Sequence, residues 1–152
     1  MALVTTSRKA GPVTRRLARV LSSVFRCIYI NRGKSSFNAV LTHAESLGCK
    51  RVVFIYEKHG NPNEIRAVHI GGKSTYKEVG SFIFNPIQII RPRRFFPYLS
   101  YDRYAANFVH LFLERGELNK MQGKDVVEVT LEKGVLSISV NGIVIVALRK
   151  AN

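Results

Sequence analysis

The first 56 residues alternate short apolar segments with two stretches of helical periodicity, and this alternation limits the fold more than any other feature. Ala2 to Thr5, Cys27 to Ile30 and Val52 to Tyr56 are predicted strands, and the third is a continuous apolar run typical of a strand covered on both faces. A helix is predicted between each pair of strands. Strands joined through helices make right-handed crossovers, so this part of the sheet is predicted to be largely parallel.

The first predicted helix begins at Pro12, because proline is favoured at the first helical position. Its apolar residues recur at helical spacing and make one stripe: Val13, Leu17, Val20, Leu21 and Val24. Arg15 and Arg19 fall on the opposite side, and Arg16 flanks the stripe. The segment is therefore predicted to pack its stripe on the sheet and to hold out three guanidinium groups.

The second predicted helix follows Asn31-Arg32-Gly33-Lys34-Ser35, and Gly48 ends it. Its predicted apolar face is Phe37, Val40, Leu41, Ala44 and Leu47. The turn Gly33-Lys34-Ser35 is predicted to open this helix, and the free amides of a first helical turn attract anions. A backbone phosphate of RNA would fit beside Arg32 and Lys34. The alternative is a plain helix cap with solvated charges.

The chain is predicted to be a single domain of residues 1–152, with one half at about 1–72 and the other at about 73–152. In the second half, residues 82–84 and 87–90 are predicted strands interrupted by Pro86. Ser100 or Asp102 is predicted to cap a deeply packed helix that runs to Arg115.

The last predicted elements form a meander. Lys133-Gly134 and Asn141-Gly142 are predicted turns, the second a two-residue hairpin. Residues 143–148 are apolar on both faces and are predicted to lie inside the sheet.

Positive charge is concentrated in the first half. Residues 1–44 contain no Asp or Glu, and the net charge of +14 divides into +10 for residues 1–73 and +4 for the rest. A one-signed stretch attracts polyanions, and the basic helix lacks the acidic residues that solvated helix faces usually carry. Nucleic acid is therefore the predicted partner. The predicted contacts in this half are Arg8, Lys9, Arg15, Arg16, Arg19, Arg32, Gly33 and Lys34.

A second basic segment, residues 91–98, interleaves cations with aromatic residues. Arg91, Arg93 and Arg94 are added to the predicted RNA contacts. Two interpretations of Phe95, Phe96 and Tyr98 stay open. Their rings either close the core beneath a loop, or lie exposed and stack on unpaired bases.

No pattern in the sequence predicts an enzyme, a metal site or a cofactor. The four histidines share no ligand spacing, no serine lies in a Gly-x-Ser-x-Gly turn, and the carboxylates are not paired. Two Gly-Lys-Ser tripeptides have Ile28 and Ala67 where a phosphate loop needs glycine, so no ATP or GTP site is predicted. Cys27 and Cys49 are predicted to be buried free thiols. Since no long apolar run or signal segment is present, the chain is predicted to be intracellular, with no membrane partner.

Four segments together carry a resemblance to a known family: Thr5 to Lys9, Thr14 to Leu21, Asn31 to Ser36 and Gly60 to Asn63. In this order and spacing they resemble the Brix-domain family of ribosome-biogenesis proteins. The chain is most similar to the short archaeal members, which are akin to the Imp-four-type component of small-subunit processing. The resemblance covers most of the chain and is strongest from residue 3 to about 70.

The resemblance implies an α/β fold of two similar halves, each like the anticodon-binding domain of class IIa aminoacyl-tRNA synthetases, with mixed sheets and packed helices. It also implies binding of precursor ribosomal RNA or guide RNA, other ribosome-assembly proteins as partners, and no catalysis. We therefore expect an RNA-binding ribosome-biogenesis factor that acts in the cytoplasm, or in the nucleolus if the source is a eukaryote. A structural ribosomal protein and a tRNA-binding accessory module remain the alternatives.

Overall fold

The computed structural model describes residues 1–73 and 75–151, apart from the side chain of Asn119. In these residues the strands are β1 (Ala2–Thr6), β2 (Ile28–Tyr29), β3 (Arg51–Lys58), β4 (Asn61–Gly72), β5 (Thr75–Ile89), β6 (Pro97–Tyr101), β7 (Asp125–Glu132), β8 (Val135–Val140) and β9 (Ile143–Lys150). The helices are α1 (Pro12–Val24), α2 (Phe37–Ser46), α3 (Ala106–Phe112) and a 3-10 helix at Leu118–Lys120.

The strands form one mixed sheet in the order β2-β1-β3-β4-β5-β9-β8-β7-β6. β1 pairs in parallel with β2 and β3, and β6 pairs in parallel with β7, whereas the other neighbours are antiparallel. The predicted parallel arrangement therefore holds for the first three strands. It ends at His59-Gly60, whose positive φ angles of 54° and 81° reverse the chain into β4. The predicted α/β class is confirmed as a mixed α/β fold.

Strand β5 belongs to both parts of the sheet. Its first residues pair with β4, and residues 84–89 pair with β9. The predicted interruption at Pro86 is wrong, because β5 continues through this residue. Proline has no N–H to donate, and a shift of the β5–β9 register between Pro86 and Gln88 accommodates it. The division into halves at about residue 72 and the likeness of each half to an anticodon-binding domain stay predictions.

Helices cover both faces of the first part of the sheet. Successive strand residues point to opposite faces, so Val53 and Ile55 of β3 join the core under α1, while Val52 and Phe54 join the core under α2. α3 lies on the same side as α1, where Phe25 stacks on Phe112 with ring centroids 4.4 Å apart. This contact joins the end of α1 to α3.

Helix α1 agrees with its sequence pattern. Pro12 is its first residue, and Leu17, Val20, Leu21 and Val24 of the predicted stripe are fully buried. Helix α2 begins two residues later than the turn predicted to open it, because the side chain of Ser36 caps the helix by accepting from the Ala39 N–H at 3.1 Å. Leu47 ends α2 half-exposed instead of extending its apolar face.

The C-terminal meander is also confirmed. Lys133-Gly134 joins β7 to β8 and Asn141-Gly142 joins β8 to β9, and all four residues have positive φ, as the two-residue turn that suits twisted hairpins requires. Strand β9 is paired on both sides, by β5 and β8. It lies inside the sheet, as predicted.

The helix predicted from residue 100 or 102 to Arg115 is wrong in its bounds. Residues 97–101 are strand β6, and the helix proper is only Ala106–Phe112. Asp102 ends the strand because its carboxylate accepts from the Ala105 N–H at 2.8 Å. The predicted deep packing is correct, since Phe108, Val109, Leu111 and Phe112 are all buried.

Both cysteines are free thiols, Cys49 buried and Cys27 partly so. Burial raises the pKa of Cys27 to about 12, so its thiol stays protonated at neutral pH. Among the described residues, no helix combines the length and the apolar character needed to cross a lipid bilayer.

The burial of α1 gives a test of its two faces. Leu17→Ala should lower the free energy of unfolding by about 2–5 kcal/mol, because it empties a fully buried position in the core. Arg19→Ala on the exposed side of the same helix should change it by less than about 0.5 kcal/mol. Urea denaturation measures both, and equal losses would contradict the assignment of the faces.

Candidate nucleic-acid interface

The carboxyl ends of β1 and β2 bring two basic loops together. Lys9, in the loop after β1, donates its N–H to the carbonyl of Gly33, in the loop after β2, at 3.1 Å. Arg8, Lys9 and Lys34 are all exposed. Parallel neighbouring strands end on the same edge of a sheet, so three cations that are distant in sequence lie on one rim. The sequence predicted each of them and the structure shows them to be neighbours.

Arg32 differs from the prediction, because it is only 7% exposed. Its Nη1 donates to the carbonyl of Thr6 at 3.2 Å and its Nε to the carbonyl of Ser35 at 3.1 Å, and its guanidinium lies over the Phe54 ring. Burial lowers the pKa of this guanidinium. Its contacts make Arg32 a tie between the two loops instead of an exposed phosphate ligand.

The predicted anion site at the start of a helix is also wrong in its geometry. Ser35 donates its N–H to the Arg32 carbonyl in a turn, so Gly33-Lys34-Ser35 precedes α2 and contributes no first-turn amides. At the start of α1, the Gly11 N–H already donates to Glu57 Oε1 at 2.7 Å. A carboxylate of the chain itself, that of Glu57, therefore occupies the N-terminus of α1. The positive field of the rim comes instead from the exposed side chains of Arg8, Lys9 and Lys34.

Helix α1 continues the rim as a ridge. Arg15 and Arg19 are exposed and Arg16 is half-buried at the edge of the packed stripe. The 13-residue helix is about 20 Å long and contains no acidic residue. We call this row of exposed or partly exposed side chains the basic ridge, which consists of Arg8, Lys9, Arg15, Arg16, Arg19, Arg26 and Lys34.

Arg26 was not among the predicted contacts. It follows the C-cap of α1 with a φ of 53°, in the left-handed conformation that glycine usually adopts after a helix. The Cys27 N–H donates to the Ser22 carbonyl at 2.8 Å and closes the helix end around it. An exposed arginine at this strained position extends the ridge. Its helical spacing from Arg15 and Arg19 was the available sequence signal.

Tyr29 on β2 lies near Arg15 and Arg19 and was not among the predicted contacts. Burial raises the pKa of its half-buried phenol, and the nearby guanidiniums of Arg19 and Arg15 act in the opposite direction. The phenol therefore stays neutral beside the ridge, where its O–H is a potential donor to an anion. A single tyrosine in a short predicted strand carries no signal of this position beside the ridge.

The second basic segment lies against the end of α1. Ser23 Oγ donates to the Arg93 carbonyl and accepts from the Phe95 N–H at 2.9 Å. Arg91, Arg93 and Arg94 are exposed, as the predicted role requires. Phe95 is buried, as the core interpretation expects, whereas Phe96 and Tyr98 are exposed, and their stacking on unpaired bases stays a prediction.

Charge pairing separates these cations from others in the molecule. Arg51 lies 3.6 Å from Glu114, and Arg66 lies 3.2 Å from Glu64 and 3.6 Å from Glu78. Within residues 1–73 and 75–151, no cation of the basic ridge and none of the three arginines of residues 91–94 has a carboxylate within 4 Å. Their charge is therefore available to a ligand.

The residues of the two Gly-Lys-Ser tripeptides and the candidate metal ligands carry no further site in the described residues. Ile28 and Ala67 lie in β2 and β4, and Ser74 of the second Gly-Lys-Ser tripeptide falls outside the described residues. In the described part of the chain, no three His, Cys, Asp or Glu side chains gather in a way that would hold a metal ion.

Part of the sequence is similar to curated proteins, and nearly the whole chain is similar in fold to solved structures. No protein-family model matches the chain. The probable Brix domain-containing ribosomal biogenesis protein of Methanothermobacter thermautotrophicus is 39% identical over 84 residues, which are 55% of this chain and 49% of that protein. Its counterpart in Archaeoglobus fulgidus is 40% identical over 74 residues, 49% of this chain and 45% of that protein. The chain thus spans about half the length of the curated relatives it matches.

Solved structures extend the likeness of the fold to nearly the whole chain. The crystal structure of Mil, an archaeal Imp4-like protein, superposes with a TM-score of 0.69 at 24% identity, over 99% of this chain and 97% of that one. A probable ribosomal biogenesis protein from Aeropyrum pernix gives a TM-score of 0.69 at 22% identity, over 98% and 93%. The resemblance predicted from the sequence is therefore confirmed: about half of the chain is similar to curated proteins named Brix domain-containing ribosomal biogenesis proteins, and the fold is that of the archaeal Imp4-like protein Mil.

Proposed function

We propose that this protein binds precursor ribosomal RNA during ribosome assembly in the cytoplasm and assists its processing, pairing or folding without catalysing a reaction. Guide RNA is a further RNA of the same chemistry, and other assembly proteins are the expected protein partners. The observation that carries this proposal is the basic ridge, a row of cations without acidic partners among the described residues.

The ridge is suited to a nucleic-acid backbone. Cations that hold phosphates release counterions, and this release supplies affinity and register but little sequence information. The spacing of Arg15 and Arg19 along a rigid helix fixes the path of a bound strand. Ridge contacts would therefore give general RNA affinity, and the choice of RNA would rest on its shape.

Sedimentation separates an assembly factor from a structural ribosomal protein. Extracts of the source organism should be fractionated on sucrose gradients in low and in high salt. We expect the protein with precursor particles in low salt and its absence from mature subunits in high salt. Retention on mature subunits in high salt would favour the structural alternative.

Crosslinking followed by sequencing of the bound RNA identifies the ligand directly. We expect reads concentrated on precursor ribosomal RNA, with crosslinked peptides from α1 and from the loops after β1 and β2. Reads dominated by tRNA would instead support the accessory-module alternative.

Replacing Arg15, Arg16 and Arg19 by Gln should weaken binding of single-stranded RNA and leave the melting temperature nearly unchanged, because none of the three side chains belongs to the core. The slope of log K against log salt should become shallower by about 2, since each phosphate contact contributes about 0.7 on single strands. Fluorescence anisotropy over a salt series measures both quantities.

The control removes three charges elsewhere. Arg103, Lys133 and Arg149 are exposed in the second half of the chain, away from the ridge. Replacing these three by Gln changes the net charge equally and should leave the slope within error of the wild type. The same flattening in both triple variants would mean that overall charge, and not the ridge, governs binding.

Arg26→Gly should bind RNA more weakly and yet unfold at a higher denaturant concentration. Relief of the left-handed conformation outweighs the greater unfolded-state entropy of glycine by about 0.5–1 kcal/mol. Lys133→Gly is the matched control, since Lys133 is also a cation with a positive φ, of 51°, but lies at the β7–β8 turn. It should gain similar stability with no loss of affinity. If RNA affinity falls equally in both variants, Arg26 is not part of the RNA-binding surface.

A further inference from the structure

A cavity of about 290 Å³ opens beside the second basic segment. Its walls come from residues 90 and 93–96, from the residues around the β8–β9 turn, and from Lys124 and Asp125. Asp125 is the first residue of β7, and Lys124 directly precedes it. Ile90, Val140 and Ile145 make it apolar inside, and Arg93, Arg94 and Lys124 supply cations. Pockets for drug-sized ligands hold about 300–1,000 Å³, so this one is suited to a single flat ring system.

Phe96 is the aromatic residue of this cavity that remains accessible. Its side chain is 42% exposed, whereas that of Phe95 next to it is 8% exposed and belongs to the core. The Arg94 guanidinium carbon lies 5.3 Å and the Lys124 ammonium nitrogen 5.7 Å from the centroid of the Phe96 ring. Both cations lie over the ring in cation–π contact, and both are carried on long flexible side chains. A base that stacks on the ring would displace one of them, and the displaced cation would then reach a phosphate next to that base.

The backbone of Phe96 is held rigidly. Its N–H donates to Asp125 Oδ2 at 2.8 Å, and its carbonyl accepts from the Asp125 N–H at 2.9 Å. The other carboxylate oxygen of Asp125 accepts from Asn141 Nδ2 at 3.1 Å. A side chain on Gly123 would overlap the Phe96 carbonyl, so glycine lets this loop close on Phe96.

These contacts also settle the charge of the cavity. Asp125 is the one acidic residue among the described residues that line it, and both of its carboxylate oxygens are engaged within the chain. The cations remain without an acidic partner within 4 Å in the described residues. The cavity therefore presents net positive charge to a ligand.

The cavity is continuous with the basic ridge. Arg26, at the end of the ridge, and Arg94, at the wall of the cavity, both line a small groove between α1 and residues 94–96. Ser23 fixes this spacing through its two hydrogen bonds to residues 93 and 95. A polyanion that follows α1 thus reaches the cavity at the end of the helix.

We propose that this cavity binds one unpaired RNA base, stacked on the Phe96 ring, with the flanking phosphates held by Arg94 and Lys124. The proposal rests on the proposed RNA-binding function and narrows its ligand to RNA with unpaired nucleotides. Bases of an uninterrupted duplex are stacked inside the helix and do not reach a cavity of this kind, whereas those of loops, bulges and single strands do.

The test compares two variants of Phe96 on two RNAs. Phe96→Leu keeps an apolar side chain but removes the aromatic face, and Phe96→Tyr keeps that face. Binding is measured by fluorescence anisotropy with a 12-nucleotide single-stranded RNA and with a duplex of the same length. Phe96→Leu should weaken single-strand binding about 5- to 100-fold and leave duplex binding unchanged. Phe96→Tyr should bind both RNAs as the wild type does.

The control is Tyr104→Leu, since Tyr104 is 60% exposed with the Arg103 guanidinium 4.8 Å from its ring centroid. It lies beside the opposite end of β7 and should bind both RNAs normally. If Phe96→Leu binds single-stranded RNA as well as the wild type does, the base-stacking proposal is wrong. The ridge proposal then still stands if the Arg15, Arg16 and Arg19 variant is weakened. If the wild type binds neither the single strand nor the duplex, the ridge proposal and the base-stacking proposal are both wrong.

Discussion

The stacking of Phe25 on Phe112 holds together the layer on which the candidate interface is built. Phe25 lies at the end of α1 and Phe112 at the end of α3, and Phe108 contacts both rings. With the buried stripe of α1, this aromatic cluster fixes the helix on the sheet and fixes where it ends. This packing of α1 on the sheet determines the positions of Arg15, Arg19 and Arg26, because the face of α1 that does not pack in the core is the one exposed to solvent.

The cationic side chains fall into two groups, those that have hydrogen-bond or charge partners within the chain and those for which the described part of the chain supplies none. Arg32 and Arg51 are drawn into the structure, where backbone carbonyls accept their hydrogen bonds, and Arg51 and Arg66 also lie near carboxylates. The cations of the ridge and of the Phe96 cavity have no such partners among the described residues. Unpaired like charges repel one another in the free protein, and a polyanion removes that repulsion when it binds.

Local patterns allowed much of this fold to be predicted, and long-range contacts account for the rest. The stripe of α1 and the turn at Asn141-Gly142 are set by residues close in sequence, and both predictions are confirmed. The passage of β5 through Pro86 depends on β9, some 60 residues away. The burial of Arg32 depends on Thr6, and the contact of the second basic segment with α1 depends on Ser23. Charge patterning thus indicated the cations, but only tertiary structure shows which of them are free and adjacent.

Strand β9 comes last along the sequence and yet lies in the middle of the sheet, between β5 and β8. During translation, β5 therefore has one partner, β4, until residues 143–150 have left the ribosome, and the unpaired edge of its second part stays exposed. Closing the sheet requires pairing across a long stretch of chain, which is intrinsically slow. A nascent copy of this protein thus contains all the cations of the ridge before its sheet is complete. Under the proposed function, its folding competes with premature contact between those cations and RNA.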